Sequence, residues 1–140
     1  MNPKDKLGVK KAPMSTVPAN VLMEVGVAML EGSLKYGRHN YRTIPVKSSV
    51  YYDASMRHMM TWWEGEDTDV ESGLSHLTKA IASLVVLRDA MFMQVLQDDR
   101  PPKSVPWLST LNEATEKLLK KHSEPVAPFT EVDNSWVDKE

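Results

Sequence analysis

Hydrophobic side chains recur at intervals of three and four residues in four parts of the chain, and this spacing predicts α-helices. The predicted helices cover residues 19–36, 50–64, 70–97 and 108–122. The third would be about 40 Å long at a rise of about 1.5 Å per residue. It is apolar on nearly all sides over residues 80–93, which is typical of a helix buried in a bundle or in a subunit interface. The pattern therefore predicts an all-α fold, a bundle of about four helices, and a homo-oligomer.

The segments outside these helices lack such a period, and no alternation of apolar and polar residues is long enough to predict a substantial strand. Gly37 is well placed to end the first helix with a left-handed residue, and Gly65 breaks the second. Residues 1–18 hold three prolines and predict extended chain rather than helix. We expect one domain over residues 1–122 and an acidic C-terminal tail over residues 123–140.

Composition narrows the class of protein. The chain has 140 residues, of which 41 % are hydrophobic, and this suits a single domain with a core. Its net charge of −2 predicts neither a nucleic-acid binder nor a protein held on an anionic membrane. The absence of cysteine excludes disulfides, thiolate nucleophiles and zinc–thiolate sites. Because no apolar run is long enough to span a membrane, we expect a cytoplasmic protein without a membrane or nucleic-acid partner.

An acidic segment connects the second and third predicted helices. It runs TWWEGEDTDVESG over residues 61–73 and holds five carboxylates, those of Glu64, Glu66, Asp67, Asp69 and Glu71. Oxygen-rich clusters suit hard cations such as Mg²⁺ and Mn²⁺, which can also bridge to substrate phosphates. The alternative is a solvated turn in which Thr68 and Glu71 form a capping box for the third helix. Five carboxylates exceed what capping requires and repel one another unless a cation relieves the repulsion. The sequence therefore favours the metal site.

Two histidines lie on either side of this segment. His58 shares a helix face with Trp62, four residues further on, and His76 lies in the first turns of the third predicted helix. In antiparallel neighbouring helices the two would meet at the facing ends. A single histidine is more often structural than catalytic. The pair is a stronger candidate for metal ligands, for partners that orient a ligand, or for donors to phosphate.

A basic segment follows the first predicted helix. It runs KYGRHNYR over residues 35–42 and combines cationic side chains with Tyr36 and Tyr41, which could stack on a base. Lys79, one turn after His76, adds a candidate phosphate contact. The alternative is a solvated basic turn. P-loop, GxGxxG, GxSxG and HExxH motifs are absent. Together the rings, cations and carboxylates predict metal-assisted attack of water on a phosphoanhydride.

Three segments occur in a specific order along the chain: NPKDKLGVKKAPMSTVP (2–18), EGSLKYGRHNYR (31–42) and YYDASMRHMMTWWEGEDTDVESGLSHLTKAIASL (51–84). This combination, over roughly residues 2–95, resembles a family of phage and prophage proteins, the dATP/dGTP diphosphohydrolase N-terminal domain family. The resemblance makes the N-terminal segment part of the domain. It implies an all-α, MazG-like nucleotide pyrophosphohydrolase that uses Mg²⁺ or Mn²⁺ to cut between the α and β phosphates of a nucleoside triphosphate.

MazG-like enzymes carry an ExxE motif followed by an ExxD motif on two packed helices. Glu66 and Asp69 match the second motif in letters, but no ExxE precedes it, because Asp53 is the single carboxylate between Glu31 and Glu64. Either the metal site is assembled differently, or the MazG relation is remote, or activity is lost. Glu31, on the first helix, is a candidate for a further ligand from the other side of the pocket.

We expect hydrolysis of a purine deoxynucleoside triphosphate, dGTP or dATP, to the monophosphate and pyrophosphate. The expected catalytic residues are Glu66, Asp69 and His58, and the expected ligands of Mg²⁺ or Mn²⁺ are Glu66, Asp69, Glu71 and His76. The expected substrate contacts are Lys35, Tyr36, Arg38, His39, Asn40, Arg57, Trp62 and Lys79. Two alternatives stay open. One is a non-catalytic nucleotide-binding or regulatory phage protein, and the other is a helical adaptor whose acidic segment is only a capped turn.

Overall fold

The computed structural model describes residues 1–132, which contain five α-helices and two very short β-strands. The helices are α1 (Pro3–Gly8), α2 (Ala19–Tyr36), α3 (Ser48–Trp63), α4 (His76–Phe92) and α5 (Leu108–Lys121). The strands β1 (Val46–Lys47) and β2 (Leu96–Gln97) pair in parallel. Single turns of 3₁₀ helix cover Met14–Thr16 and Asn40–Arg42. The predicted all-α class is confirmed.

The chain divides into two compact units, Met1–Pro101 and Pro102–Glu140. The first contains α1 to α4 and both strands, and the second contains α5. The expected division into a domain over 1–122 and a tail over 123–140 stays a prediction, and the part of that tail over 133–140 lies outside the described residues. Among the described helices, none combines the length and the apolar character that crossing a membrane requires.

The N-terminal segment contains a helix where the sequence predicts extended chain. Asn2 caps α1, since its side chain accepts a hydrogen bond from the Lys4 backbone N–H at 2.9 Å. Pro3 is the first helical residue, a position at which the missing N–H has no intrahelical partner to lose. Asp5 in the first turn and Lys6 in the last complement the helix dipole. The prediction was wrong because proline at the start of a helix favours the helix rather than excluding it.

Helices α2 and α3 follow the hydrophobic period closely. α2 matches its predicted range and ends at Gly37, whose φ of 92° favours glycine, although its ψ of 135° differs from that of the predicted left-handed cap. α3 begins two residues before the predicted start. There Asp99 accepts hydrogen bonds from both the backbone N–H, at 2.8 Å, and the hydroxyl of Ser49. A carboxylate 50 residues away in sequence therefore caps this helix.

Helix α4 begins later than the predicted helix over residues 70–97. Its first residue is His76, and the Ser75 side chain accepts a hydrogen bond from the backbone N–H two residues further on, at 3.2 Å. The predicted capping box of Thr68 and Glu71 is therefore wrong. It fails because those residues belong to a hydrogen-bonded turn that precedes the helix. With 17 residues, α4 is about 25 Å long at about 1.5 Å per residue.

The buried core lies where the end of α4 meets the strand pair. Val46, Val86 and Ala90 form it and are 2 %, 8 % and 0 % exposed. Gln94, at a φ of 57°, ends the helix and turns the chain towards β2. The backbone N–H of Val46 then donates to the Val95 carbonyl at 3.0 Å. The predicted continuation of the helix to residue 97 is wrong because residues 96–97 form β2 and pair with β1 instead.

Helices α2 and α3 both pack on α4, which makes α4 the central element of the first unit. At the contact between α3 and α4, the Ser55 hydroxyl donates to the Ala80 carbonyl at 3.2 Å. Both residues are buried, at 2 % and 3 % exposure. Two such small side chains let the helices approach closely. The antiparallel helices therefore bring His58 and His76, each about one turn from this contact, next to each other.

Candidate functional site

The centre of the candidate site is a pair of histidines from neighbouring helices. The Nδ1 atom of His58 on α3 lies 2.9 Å from the Nδ1 atom of His76 on α4. Their ring centroids are 5.1 Å apart. His76 is buried, at 4 % exposure, and His58 is half-buried. The structure thus brings together the two histidines that the sequence places at the facing ends of the helices.

Glu66 determines which nitrogen of His76 carries a proton. Its Oε2 atom lies 2.8 Å from the Nε2 atom of His76. A carboxylate only accepts, so Nε2–H of His76 is the donor. In a neutral ring this leaves the Nδ1 atom of His76 with a lone pair, and His58 then donates its Nδ1–H across the 2.9 Å gap. Two imidazole nitrogens and one shared proton therefore occupy the space between the helices.

Asp69 lies beside this pair because the acidic segment folds into a tight turn. Its Oδ2 atom accepts hydrogen bonds from the backbone N–H and hydroxyl of Ser72, at 3.1 and 2.6 Å. Its backbone N–H donates to the Leu74 carbonyl at 2.8 Å. Three potential ligand atoms, one from each of His58, Asp69 and His76, lie within 4.8 Å of one another. Polar side chains and backbone groups thus fix a nitrogen–nitrogen–oxygen cluster.

The surroundings of the cluster favour the protonation states that metal ligands need. Burial lowers the pKa of His58 below its usual 6.5, although the Asp69 carboxylate acts in the opposite direction. The hydrogen bonds from Ser72 lower the pKa of Asp69 below its usual 3.8. Near neutral pH His58 is therefore neutral and Asp69 is ionised. Neutral imidazole and carboxylate are the forms that coordinate a cation.

A second group of charges joins α2 to α4 and to the acidic segment. Glu31 on α2 accepts from Lys35 at 2.7 Å and from Lys79 on α4 at 2.6 Å. Hydrogen bonds from these two lysines lower the pKa of Glu31, and the partnership with Glu31 raises the pKa of Lys35. Lys35 also lies 3.3 Å from Glu71. The predicted phosphate contacts Lys35 and Lys79 therefore meet on one carboxylate, while Glu71 pairs with a lysine outside the histidine cluster.

Two tryptophans form an apolar groove next to the cluster. The groove has a volume of about 590 Å³ and is lined by Met59, Met60, Trp62, Trp63, Glu64 and Leu77. Met59 and Leu77 directly follow His58 and His76 in sequence. The volume lies within the range of roughly 300–1,000 Å³ that is typical of small-molecule sites. Trp62 is therefore placed where a base could stack, and Trp63, which the sequence reasoning did not select, shares the groove.

The rest of the basic segment lies elsewhere. Arg38 and His39 line a separate hollow of about 170 Å³ together with Gly26, Met29, Leu30, Ser33 and Tyr41. None of these residues belongs to the histidine cluster or to the tryptophan groove. Arg42 forms a bidentate pair with Asp89, at 2.9 and 3.1 Å, towards the opposite end of α4. The structure does not bring this segment together with the cluster, and its contact with a substrate stays a prediction.

Three further predicted contacts are near the surface. Tyr36 ends α2 and is 69 % exposed. Asn40 begins the 3₁₀ turn after it. Arg57 is exposed on α3, and its charge contributes to the low pKa of His58. Arg57 is therefore the one of these three that the structure places electrostatically close to the cluster.

Sequence reasoning missed two polar contacts that shape the site. Ser72 holds Asp69 in the turn. An aspartate three residues before a serine, in a segment between Gly65 and Gly73, is a sequence signal of a local turn. Thr78 donates to Glu24 at 2.5 Å and so joins α4 to α2. That bond spans 54 residues, and no local pattern in the sequence indicates it.

Comparisons with known proteins identify the family of this chain. The family model described as dATP/dGTP diphosphohydrolase, N-terminal, matches residues 1–100. The chain is 30 % identical over 90 residues to a "dATP/dGTP diphosphohydrolase" of Salmonella phage PMBT28. That alignment covers 64 % of this chain but only 30 % of the phage protein. No solved structure matches the chain significantly. Because the family match covers well over half of the chain, the protein belongs to the dATP/dGTP diphosphohydrolase N-terminal family.

Proposed function

We propose that this chain hydrolyses a purine deoxynucleoside triphosphate, dGTP or dATP, to the monophosphate and pyrophosphate, with Mg²⁺ or Mn²⁺ as the cofactor. The observation that supports this most is the cluster of His58, Asp69 and His76. Beside it lie Lys35 and Lys79, two lysines that can bind phosphate. The name of the phage relative supplies the substrate class, because it specifies dATP and dGTP.

The side chains present suit a divalent cation. His58, Asp69 and His76 each offer one ligand atom in a group no wider than 4.8 Å. Glu66 accepts a hydrogen bond from His76 and so would hold that ring in place for the ion. When bound, such an ion neutralises phosphate oxygens and lowers the pKa of a coordinated water. Of the three carboxylates expected to bind the ion, Glu71 pairs with Lys35 and Glu66 with His76, so Asp69 is the one that lies in the cluster.

The chain's own residues would bind and orient the nucleotide. Lys79 lies near enough to His58 for its charge to lower the pKa of that ring, so a phosphate bound by Lys79 would lie next to the cluster. Glu31 forms ion pairs with Lys35 and Lys79 and so keeps both ammonium groups in place until a phosphate binds them. The tryptophan groove would hold the base. If its Nδ1 atom held the ion, the ring of His58 would carry its proton on Nε2, so His58 would act as a ligand rather than as the base that accepts a proton from water.

The proposal is tested by measuring phosphate release, with inorganic pyrophosphatase added, from dGTP, dATP and the other six nucleoside triphosphates in Mg²⁺ and in Mn²⁺. We expect turnover of dGTP or dATP, and a loss of at least about 100-fold in kcat in Asp69→Asn. Asp53→Asn, an exposed carboxylate on α3, is the matched control and should keep the wild-type rate. Tight dGTP binding without turnover would favour the non-catalytic alternative. A melting temperature unaffected by nucleotide or cation would favour the adaptor.

We also propose that the chain forms a homo-oligomer. An apolar stripe on α2 is exposed, with Val27, Leu30 and Leu34 at 51 %, 44 % and 79 %. On α4, Ile81 and Leu84 are exposed at 37 % and 47 %. Stripes of this kind on neighbouring helices are characteristic of a subunit interface. Light scattering of the wild type should give at least twice the mass of one chain, and Leu30→Glu should lower it, whereas a monomeric wild type would disprove the assignment.

A further inference from the structure

We propose that His58, His76 and Asp69 bind a transition-metal ion of the Co²⁺ or Zn²⁺ class in preference to Mg²⁺. The proposal deepens the cation site of the proposed function, because it assigns the ligand atoms and the kind of ion. It concerns binding alone, so it holds or fails independently of hydrolysis.

The donor atoms of the cluster are mostly nitrogen. Two of the three are imidazole nitrogens, the Nδ1 atoms of His58 and His76, which face each other at 2.9 Å. Imidazole suits zinc, cobalt and similar ions, whereas Mg²⁺ demands oxygen ligands and retains its waters. A site built from carboxylates alone would show the opposite preference. The structure therefore favours an ion that accepts nitrogen ligands.

The distances between the donor atoms are close to those around a bound metal ion. Tetrahedral ligands at about 2.0–2.1 Å from a metal lie about 3.3 Å from one another. The gap of 2.9 Å between the Nδ1 atoms of His58 and His76 therefore has to widen by only about 0.4 Å, which is a small rotation of two rings. Asp69 completes the group within 4.8 Å. Both hydrogen bonds from Ser72 end on its Oδ2 atom, so the Oδ1 atom accepts no hydrogen bond from the described residues and can turn to the ion.

Glu66 acts as a positioning residue for His76. Its bond to the Nε2 atom of His76, at 2.8 Å, directs the lone pair on the Nδ1 atom of that ring towards His58. A carboxylate on the far nitrogen of a metal-binding histidine is a common device for orienting the ring. On binding, the ion would take the position of the proton that His58 donates to His76, and His58 would carry its proton on Nε2 instead, so that both rings stay neutral. Glu66 thus serves to orient a ligand rather than to coordinate the ion.

The test uses the full chain without an affinity tag, freed of metal with a chelator and then dialysed. Melting temperature is recorded against added Co²⁺, Zn²⁺, Mn²⁺ and Mg²⁺, and the visible absorption of bound Co²⁺ is measured in parallel. We expect a rise of about 5 °C or more with saturating Co²⁺ or Zn²⁺. Mn²⁺ should bind more weakly, and Mg²⁺ at the same concentration should give the smallest shift of the four ions.

The variants separate the ligands from the rest of the chain. His58→Gln and Asp69→Asn should abolish the shift and the Co²⁺ spectrum, and Glu66→Gln should weaken Co²⁺ binding by about 10–100-fold. His58 is more informative than the buried His76, because its replacement disturbs the fold less. His122→Gln, at the exposed end of α5, is the control and should bind as the wild type does.

Two results would overturn the proposal. One is an equal shift with Mg²⁺ and Co²⁺, which would show that oxygen ligands dominate the site. The other is a Co²⁺ shift that survives in His58→Gln. Neither result depends on nucleotide turnover, so a failure of hydrolysis and a failure of this site are separate outcomes.

Discussion

Replacing Ser55 by leucine should separate the two histidines while the rest of the fold persists. Ser55 and Ala80 are the buried small residues at which α3 and α4 meet. Interaxial distances between packed helices range over about 8–10 Å with the size of the side chains at the contact. A leucine would therefore push the helices apart by about 1–2 Å. One turn away, the gap of 2.9 Å between His58 and His76 would open to about 4 Å or more, too far for two bonds of about 2.1 Å at a tetrahedral angle.

The energetic cost can be worked out from the same contact. Overpacking costs about 1–3 kcal/mol. Loss of the bond from Ser55 to the Ala80 carbonyl adds about 1 kcal/mol. At about 4 °C per kcal/mol for a domain of this size, Ser55→Leu should lower the melting temperature by about 8–16 °C. Ser55→Ala removes only the hydrogen bond, so it should lower it by about 4 °C.

The assay is thermal unfolding of the wild type, Ser55→Ala and Ser55→Leu, each with and without saturating Co²⁺. Ser55→Ala should keep the full Co²⁺-dependent rise, because the helix spacing is unchanged, and Ser55→Leu should lose it. If Ser55→Leu were destabilised as expected but kept the wild-type rise, helix packing would not be what sets the distance between the histidines. The two variants thus distinguish a general loss of stability from a specific loss of the site.

Three further predictions concern the turn and its neighbours. Ser75→Ala should lower the free energy of unfolding by about 1 kcal/mol because it removes the cap of α4, whereas Thr68→Ala should change it by less than about 0.5 kcal/mol in urea titrations. The wild type should have a higher free energy of unfolding than Glu31→Gln, and the full difference should be present above pH 4.5, the usual pKa of this group. The difference should vanish as the pH falls through the lowered pKa of Glu31 in the folded state. A difference that persisted in strong acid would contradict the ion pairs. The double variant Glu64→Gln/Asp67→Asn should keep the Co²⁺-dependent rise in melting temperature, since neither carboxylate belongs to the cluster; loss of the rise would show that overall negative charge matters more than the three ligands.

The hydrophobic period was enough to predict the positions of α2, α3 and α5. α2 and α3 lie where the apolar spacing places them, and α5 differs from its prediction by one residue. The ends of α4 were mispredicted because apolar residues continue beyond both of them, whereas hydrogen bonds end the helix. At one end Ser75 caps it, and at the other Gln94 adopts a positive φ and the chain enters β2. Local hydrogen bonding and strand pairing therefore override the period.

The candidate site could be predicted only as far as local spacing reaches. Two histidines on either side of a turn between helices indicate a meeting point, and the structure brings His58 and His76 together there. Pairing Lys79 with Glu31 requires the crossing of α2 over α4, and this is a tertiary contact across 48 residues. Arg38 was grouped with this site through its neighbours in sequence, yet the chain turns at Gly37 and places it against a different face of α2. Because the chain changes direction at Gly37, closeness to Lys35 in sequence does not place Arg38 close to the site in space.

The acidic segment shows why charge alone was an incomplete argument for a metal site. From the sequence, clustered carboxylates are expected to repel one another unless a cation is present. In the fold, Glu66 bonds to His76, Asp69 bonds to Ser72, and Glu71 pairs with Lys35. Each of these acids already has a partner, so repulsion by itself does not require an ion. Two imidazole nitrogens face each other at 2.9 Å and share a single proton. A bound ion would take the place of that proton and accept both nitrogens as ligands. The case for a metal therefore rests on the geometry of the donors, and that geometry favours nitrogen-binding ions over Mg²⁺.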